Sequence, residues 1–324
     1  MTPAKRSFDS LKKAISTRLK PGTKIIMGIS GGPDSVALLQ LLLETGFSPI
    51  LAHINYHLRG KDSDLDQKFI EKLAAKHHLQ LEILEVYAKK LSGNLEENCR
   101  NIRYEFFEQA RRANDAELIL TAHQLDDQIE TFLFNLTRGA SLSGFLGIAE
   151  FDHERHLLRP LLGTPKQDLL AYLKAHKLPY REDKSNFDLK FSRNLIRHKI
   201  MPVLAQINPN FRITIANSLI SLKENLQNSQ NSSQDWLKKN FKKQGFSLDI
   251  FLKTSPVIQK NILKELYKEI NKGSLTKQTL AEILATLKKN KSNLRKEFGK
   301  KHWLSIKKDL KTAKRQVVIE PKLH

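Results

Sequence analysis

Through the first 125 or so positions, short apolar runs alternate with longer amphipathic stretches. Residues 23–30 (TKIIMGIS) form an apolar, β-branched run that leads into Gly-Gly-Pro, the pattern of a buried strand entering a tight turn. The Leu-rich stretch 34–44 (DSVALLQLLLE) follows as a helix. Further apolar runs lie at 49–54 (PILAHI), 81–87 (LEILEVY) and 118–122 (LILTA), separated by helical stretches at about 62–77 and 95–113. Another helix begins near Leu125. Strands alternating with helices predict parallel strands joined by crossovers, hence an α/β fold with a doubly wound, mainly parallel sheet. Ligands of such sheets sit beyond the carboxyl ends of the strands. Three polar clusters fall at those ends, at residues 30–35, 53–59 and 123–131.

Beyond about residue 160 the pattern becomes helical. Residues 165–176 (PKQDLLAYLKAH) open with a proline suited to a first helical turn. The stretch QNSQNSSQ at 227–234 reads as a loop or domain boundary, since Asn, Ser and Gln cluster there. Helical stretches at about 255–271 and 276–290 follow, then strand-like runs at 302–306 (HWLSI) and 316–320 (QVVIE). The expected division is a domain at 1–215, an α/β sheet with a helical extension, and a basic, mostly helical domain at 216–324.

Charge sharpens that division. The chain of 324 residues carries a formal net charge of +21. From Lys238 to the end, 23 Lys and Arg face 7 Asp and Glu, a net of +16, so the rest is only mildly basic. A nearly balanced body with a strongly basic tail resembles a catalytic unit plus an electrostatic clamp for a polyanion such as nucleic acid. Cys99 is the only cysteine, which excludes an internal disulfide and a cysteine zinc site and fits a reducing compartment. The first 20 residues lack an apolar core and read as an amphipathic helix. No apolar run approaches the roughly 20 residues needed to span a bilayer. A cytoplasmic protein without membrane association is expected.

The segment Ser30-Gly31-Gly32-Pro33-Asp34-Ser35 joins the first strand to a helix. Two glycines let backbone amides approach phosphate oxygens, beside a helix N-terminus. The lysine of a Walker loop and the three-glycine Rossmann spacing are both absent, so ordinary γ-phosphate transfer is not indicated. The alternative is a plain strand-to-helix turn with Asp34 and Ser35 as caps. In a helix from residue 125, Asp126 and Asp127 point about 100° apart. Glu130 falls between them in projection, and Thr131 and Arg138 fall near the Asp127 side. That face suits Mg²⁺ or an ammonium, with Arg138 near a phosphate; alternatively the two aspartates only complement the helix N-terminus. His53 and His123 end apolar strands, either as catalytic or as structural groups. Arg100 and Arg103 can clamp phosphate or pair with neighbouring glutamates. Arg193, Asn194, Arg197 and His198 share one basic helical turn, a ligand contact or a solvated face.

The SGGPDS loop resembles the S-G-G-x-D-S loop of PP-loop ATP pyrophosphatases, which cleave ATP between its α- and β-phosphates. Further blocks follow in order: AHINYHLRG (52–60), NLEENCRNIRYEFF (94–107), TAHQLDDQIETFLFNLTRGASLSGFLG (121–147), REDKSNFDLKFSRNLIRHKIMPVL (181–204) and INPN (207–210). Together they are similar to the tRNA(Ile)-lysidine synthase family over residues 23–210. Two positions depart from that pattern, Tyr56 and Gln124, where the family commonly has His. Any role of those imidazoles is lost or passes to His57. Cys99 stands where Ala is usual, a small-for-small exchange.

The resemblance implies a defined chemistry. ATP with Mg²⁺ adenylates O2 of the wobble cytidine in tRNA(Ile) with a CAU anticodon, and the ε-amine of free L-lysine displaces AMP to form lysidine. It implies ATP contacts from Ser30, Gly31, Gly32, Pro33, Asp34, Ser35, His53 and Arg138, and metal contacts from Asp34 and Asp126. Asp34, Asp127 and Glu130 are the catalytic candidates; Arg100, Arg103, Arg193, Asn194 and Arg197 are the tRNA-binding ones. The basic tail is the expected tRNA-binding domain, shorter than the C-terminal region common in this family. Oligomeric state stays open, a homodimer included. The rival readings are a PP-loop tRNA thiolase, poorly matched by one cysteine, and a non-catalytic basic RNA-binding protein.

Overall fold

The alternation along the chain resolves, in a computed structural model, into a six-stranded sheet. The structure describes all residues except 1–2, 89–90, 183–188, 190–191, 243, 290, 309–313 and 323–324. The strands are β1 (Ile25–Gly28), β2 (Ile50–Asn55), β3 (Leu81–Glu85), β4 (Leu118–Leu120), β5 (Phe151–Asp152) and β6 (Leu157–Leu158). Their spatial order is β3-β2-β1-β4-β6-β5, and only the β5–β6 pair is antiparallel. The order reverses about β1, which lies between β2 and β4. A crevice therefore opens beyond the carboxyl end of β1, the switch point at which such sheets bind ligands.

Helices cover both faces: α1 (Pro3–Ser16), α2 (Pro33–Glu44), α3 (Lys61–Lys76), α4 (Leu95–Ala113), α5 (Leu125–Thr137), the short α6 (Leu142–Phe145) and α7 (Lys166–Ala175). The period of two along β1 divides the core. Ile25 and Met27 join Leu38, Leu41, Leu51 and Tyr172 in one buried cluster, while Ile26 joins Ala52, Ile119 and Phe107 in another. Gly28 is required where α4 meets β1, because a Cβ there would lie 2.5 Å from the ring of Phe107. Further on, α8 (Ser192–Leu195) passes through a π-turn (Ile196–Ile200) into α9 (Met201–Ile207), and α10 spans Phe211–Asn240. A small core of Leu125, Ile129, Ile196, Met201 and Phe211 packs this segment against α5.

The chain forms two compact units, Met1–Ile220 and Ser221–His324. In the second, β7 (Gly245–Ser247), α11 (Leu248–Leu252), α12 (Pro256–Asn271), α13 (Lys277–Lys288), β8 (Arg295–Glu297), β9 (His302–Lys308) and β10 (Arg315–Pro321) follow in order. The strands pair antiparallel as β7-β10-β9-β8. Leu304, Ile306, Val317 and Ile319 bury one sheet face with Ile262, Leu266 and Ile283 of the helices. The two strand-like runs seen in the sequence are β9 and β10; the three-residue β7 and β8 are too short for a periodic signal.

Residues 227–234 are neither loop nor boundary but lie inside α10. The stretch contains no Gly or Pro, and its serines bond back along the helix, Ser232 to Asn228 O (2.8 Å) and Ser233 to Ser229 O (2.7 Å). Ser233 is fully buried and Asn261 donates to Ser229 Oγ at 2.8 Å, so packing overrides weak helix propensity.

Candidate active site

The loop after β1 is tied into a fixed shape by its own side chains. Gly32 N donates to Ser30 Oγ (3.3 Å), Ser35 Oγ donates to Gly32 O (2.9 Å), and Gly31 takes φ +78, a left-handed conformation natural to glycine. Gly32 is the N-cap of α2, Pro33 follows, and no side chain caps the helix. Asp34 and Ser35 are thus inside the first turn and leave it uncapped. Its positive end faces a cavity of about 650 Å³ lined by Ser30, Gly32, Pro33, Asp34 and Ser35, within the size range of small-ligand sites. Asp34 Oδ1 is buried without a hydrogen-bond partner. Burial pushes the Asp34 carboxyl up to about 6; the Lys166 charge opposes this and the Asp127 charge adds to it.

The ends of β2 and β4 supply two imidazoles. His53 Nδ1 donates to Ile29 O at 3.0 Å, which leaves Nε2 buried without a partner, and burial lowers its pKa. His123 Nδ1 lies 3.0 Å from Thr121 Oγ1. Burial, followed by the charges of Arg159, Arg103, Arg100 and Arg193, pushes His123 down to about 3, so the ring is neutral at physiological pH. Both rings line the cavity.

The carboxylates at the start of α5 go to different partners, as their angular separation requires. Asp126 is held by Arg212, Nε to both oxygens at 3.0 Å and Nη2 to Oδ2 at 2.9 Å. Asp127 Oδ2 accepts from Gln124 N at 3.0 Å in a capping box, and its Oδ1 lies 3.5 Å from Arg197 Nη2. Burial raises the Asp127 pKa against the pull of that amide and of Arg197. Glu130, 2% exposed, accepts two hydrogen bonds from Arg197, at 2.6 and 3.0 Å. Of the three acids, only Asp127 lines the cavity, together with Arg197 from the π-turn. π-Turns of this kind are frequent at functional sites.

The remaining sequence candidates are divided. Arg103 lines the cavity. Arg100 is exposed over the Tyr104 ring, 5.4 Å from its centroid, and Arg193 is exposed 3.8 Å from Glu96. Asn194 is buried. Arg138 is the C-cap of α5, exposed over Phe134 and a whole helix away from Asp127, so it is not brought to the loop. Tyr56 Oη donates to Cys99 O at 2.9 Å, and Gln124 Oε1 accepts from Asp126 N, so both departures from the family pattern have structural roles. His57 stacks on Tyr87 at 4.6 Å and lies 3.4 Å from Asp64, and it does not line the cavity. Residues 183–188 and 190–191 of the fifth sequence block lie outside the described residues.

Lys166, Arg59 and Arg181 also line the cavity; Arg59 and Arg181 fall within the sequence blocks at 52–60 and 181–204 but are not singled out there, and Lys166 lies in none of these blocks. Asp66, on α3, accepts from Arg59 Nη2 at 2.5 Å and from Arg181 Nε at 2.7 Å, while Arg181 N donates to Gly31 O at 2.9 Å. This brace joins β2–α3, the Ser30–Ser35 loop and the chain after α7.

A cavity of this build, on this sheet order, is that of an ATP-using PP-loop protein, and a PP-loop domain model matches residues 3–204. The chain belongs to the PP-loop domain family. Among curated relatives, it is 39% identical over 207 residues to the tRNA(Ile)-lysidine synthase of Porphyromonas gingivalis, covering 63% of this chain and 44% of that protein. It is 34% identical over 275 residues to the protein of that name from Oceanobacillus iheyensis, covering 78% of this chain and 59% of the other. The chain thus spans about half the length of the curated relatives it matches. The U34-tRNA thiolase NcsA from Methanococcus maripaludis, solved with its [4Fe-4S] cluster, shares the fold, with a TM-score of 0.56 at 18% identity over 68% of this chain and 80% of that one. Among the described residues no helix is long and apolar enough to cross a membrane.

Proposed function

We propose that the chain ligates free L-lysine to C2 of the wobble cytidine of CAU-anticodon tRNA(Ile), using ATP, and releases pyrophosphate and then AMP. The observation that carries this reading is the uncapped, glycine-lined turn Ser30–Ser35 opening on one cavity with the carboxylates of Asp34 and Asp127. The relatives described as tRNA(Ile)-lysidine synthases support the substrate.

Two displacements follow in order. O2 of the cytidine attacks the α-phosphorus, the bond to the β-phosphate breaks, and diphosphate leaves toward the loop amides, which are aimed at the developing charge. The ε-nitrogen of lysine then attacks C2, and AMP departs with O2. Lysine arrives as an ammonium and must lose a proton. Asp127, at the cavity wall with a raised pKa, is the group suited to hold the ammonium and accept that proton. Glu130 acts through Arg197, whose guanidinium it fixes beside Asp127. Arg103 at the wall and Arg100 and Arg193 on exposed surface are the contacts proposed for tRNA, and the basic second unit adds electrostatic affinity.

For Mg²⁺ the fit rests on Asp34, whose Oδ1 is buried and unpartnered at the loop. Mg²⁺ with phosphates is commonly held by one or two carboxylates, and the ion would neutralise charge on the departing diphosphate. Both oxygens of Asp126 are committed to Arg212, so Asp126 is not offered as a second ligand. The deciding assay incubates the protein with ATP, Mg²⁺, labelled lysine and a CAU-anticodon transcript. Label in the tRNA is expected; ADP as the nucleotide product, or no lysine-dependent product, overturns the reading.

A further inference from the structure

The phosphate loop has no lysine of its own, and the fold brings one to it from α7. Lys166 is the first residue of that helix and lines the same cavity as Ser30, Asp34 and Asp127. Its placement is built in at both ends of the helix. At the far end, Tyr172 Oη donates to Glu44 Oε1 at 2.7 Å and His176 Nε2 lies 3.8 Å from the same atom, which ties the last turn of α7 to the last residue of α2. At the near end, Leu125 N donates to Thr164 O at 2.9 Å, which fixes the chain two residues before Lys166 against the start of α5. The two helices therefore run in the same direction, and both N-termini meet the cavity. Among the described residues no hydrogen bond or ion pair holds the Lys166 ammonium.

We propose that Lys166 is a ligand of the β- and γ-phosphates of the nucleotide, supplying from α7 the charge that Walker-type loops carry within the loop. The proposal rests on the reading that Ser30–Ser35 takes the phosphates of ATP, and it adds a cationic group that lines the same cavity. An ammonium is a compact point charge on a flexible stem, suited to follow a diphosphate as it separates. The Lys166 charge is felt by both acids of the cavity: it lowers the Asp34 pKa against burial, and it lowers that of Asp127.

The test compares the full chain with Lys166→Met, which keeps the stem and removes the charge, and with Lys166→Arg. Calorimetric titrations with ATP, inorganic pyrophosphate and AMP are run in Mg²⁺ buffer. Lys166→Met is expected to weaken ATP and pyrophosphate by about tenfold or more while leaving AMP within about twofold, and Lys166→Arg to recover most of the loss. On the wild-type protein, pyrophosphate but not AMP should protect Lys166 from acetylation, read by peptide mass spectrometry. Unchanged affinity for ATP and pyrophosphate in Lys166→Met, equal losses for ATP and AMP, or unprotected acetylation overturns the proposal. A wild-type protein that binds neither ATP nor pyrophosphate removes the functional reading itself, and this proposal with it.

Discussion

Arg197 grips Glu130 through two hydrogen bonds, Nε to Oε1 at 2.6 Å and Nη2 to Oε2 at 3.0 Å, across 67 positions of sequence. Glu130 is nearly fully buried on α5, and Arg197 sits on the π-turn with part of its side chain at the cavity. The pair thus couples the wall of the site to the core beneath it. Burial raises the Glu130 pKa while Arg197 lowers it, so the carboxylate depends on this one partner.

Removing one member of such a pair leaves an uncompensated charge, which costs more than the pair itself contributes. Glu130→Ala is expected to lose about 3 kcal/mol of stability in urea titrations, and Glu130→Gln about half of that because it can still accept one hydrogen bond. Asp127→Asn, beside them, should cost less than about 1 kcal/mol but abolish lysine-dependent product. Equal stability losses for Glu130→Ala and Asp127→Asn would refute this division of roles.

Gly28 offers a second test, of packing. A Cβ at residue 28 would stand 2.5 Å from the Phe107 ring, which α4 presses onto β1 just before the Ser30–Ser35 loop. Gly28→Ala should therefore destabilise the protein by about 1–3 kcal/mol. Phe107→Leu alone loses packing, but combined with Gly28→Ala it should restore part of the loss. A double-mutant cycle with a coupling energy near zero would show that the contact does not limit the site.

How much of this was legible in sequence depends on the range of each interaction. The strand-turn-helix at Ser30–Ser35 was legible because an apolar run, two glycines, a proline and a leucine-rich helix are contiguous. The divergence of Asp126 and Asp127 follows from 3.6 residues per turn, and the structure sends them to Arg212 and Arg197. The identity of those arginines was not legible, because α8 to α10 fold back onto α5 through a small apolar core with no periodic link to it. Helical projection sets Arg138 on the Asp127 side, but projection gives an angle and no height, and α5 carries Arg138 to its opposite end. Lys166 was hidden for the same reason as Arg212: its position depends on a tie between α7 and α2.

The pH dependence of stability should carry the mark of His123. Its ring has an ordinary value of 6.5 and is pushed down to about 3 by burial, with four arginines adding to the effect. The folded protein refuses a proton that the unfolded chain accepts. Stability is therefore untouched above pH 6.5 and falls as pH drops from 6.5 toward 3, by at most about 1.4 kcal/mol per pH unit. In His123→Asn this contribution vanishes. Between about pH 7 and pH 4 the variant should lose up to about 3 kcal/mol less than wild type in parallel denaturant titrations. Parallel curves for the two proteins would show that the ring is protonated in the fold.

The basic second unit is best tested by charge, because a cut near residue 235 would fall inside α10 and expose its core as well. Lys260, Lys264, Lys288, Lys289 and Lys291 are all exposed, on or just after α12 and α13. If this unit clamps tRNA, replacing the five with Gln should weaken binding most at low salt. For every phosphate that such a replacement leaves unneutralised, the slope of log K against log salt should shrink by about 0.7–0.9. Binding of ATP, proposed for the first unit, should stay unchanged. Filter binding between about 50 and 200 mM salt reads the slope directly. An unchanged slope with unchanged affinity would assign the tRNA contacts elsewhere, with Arg100, Arg103 and Arg193 the next group to replace.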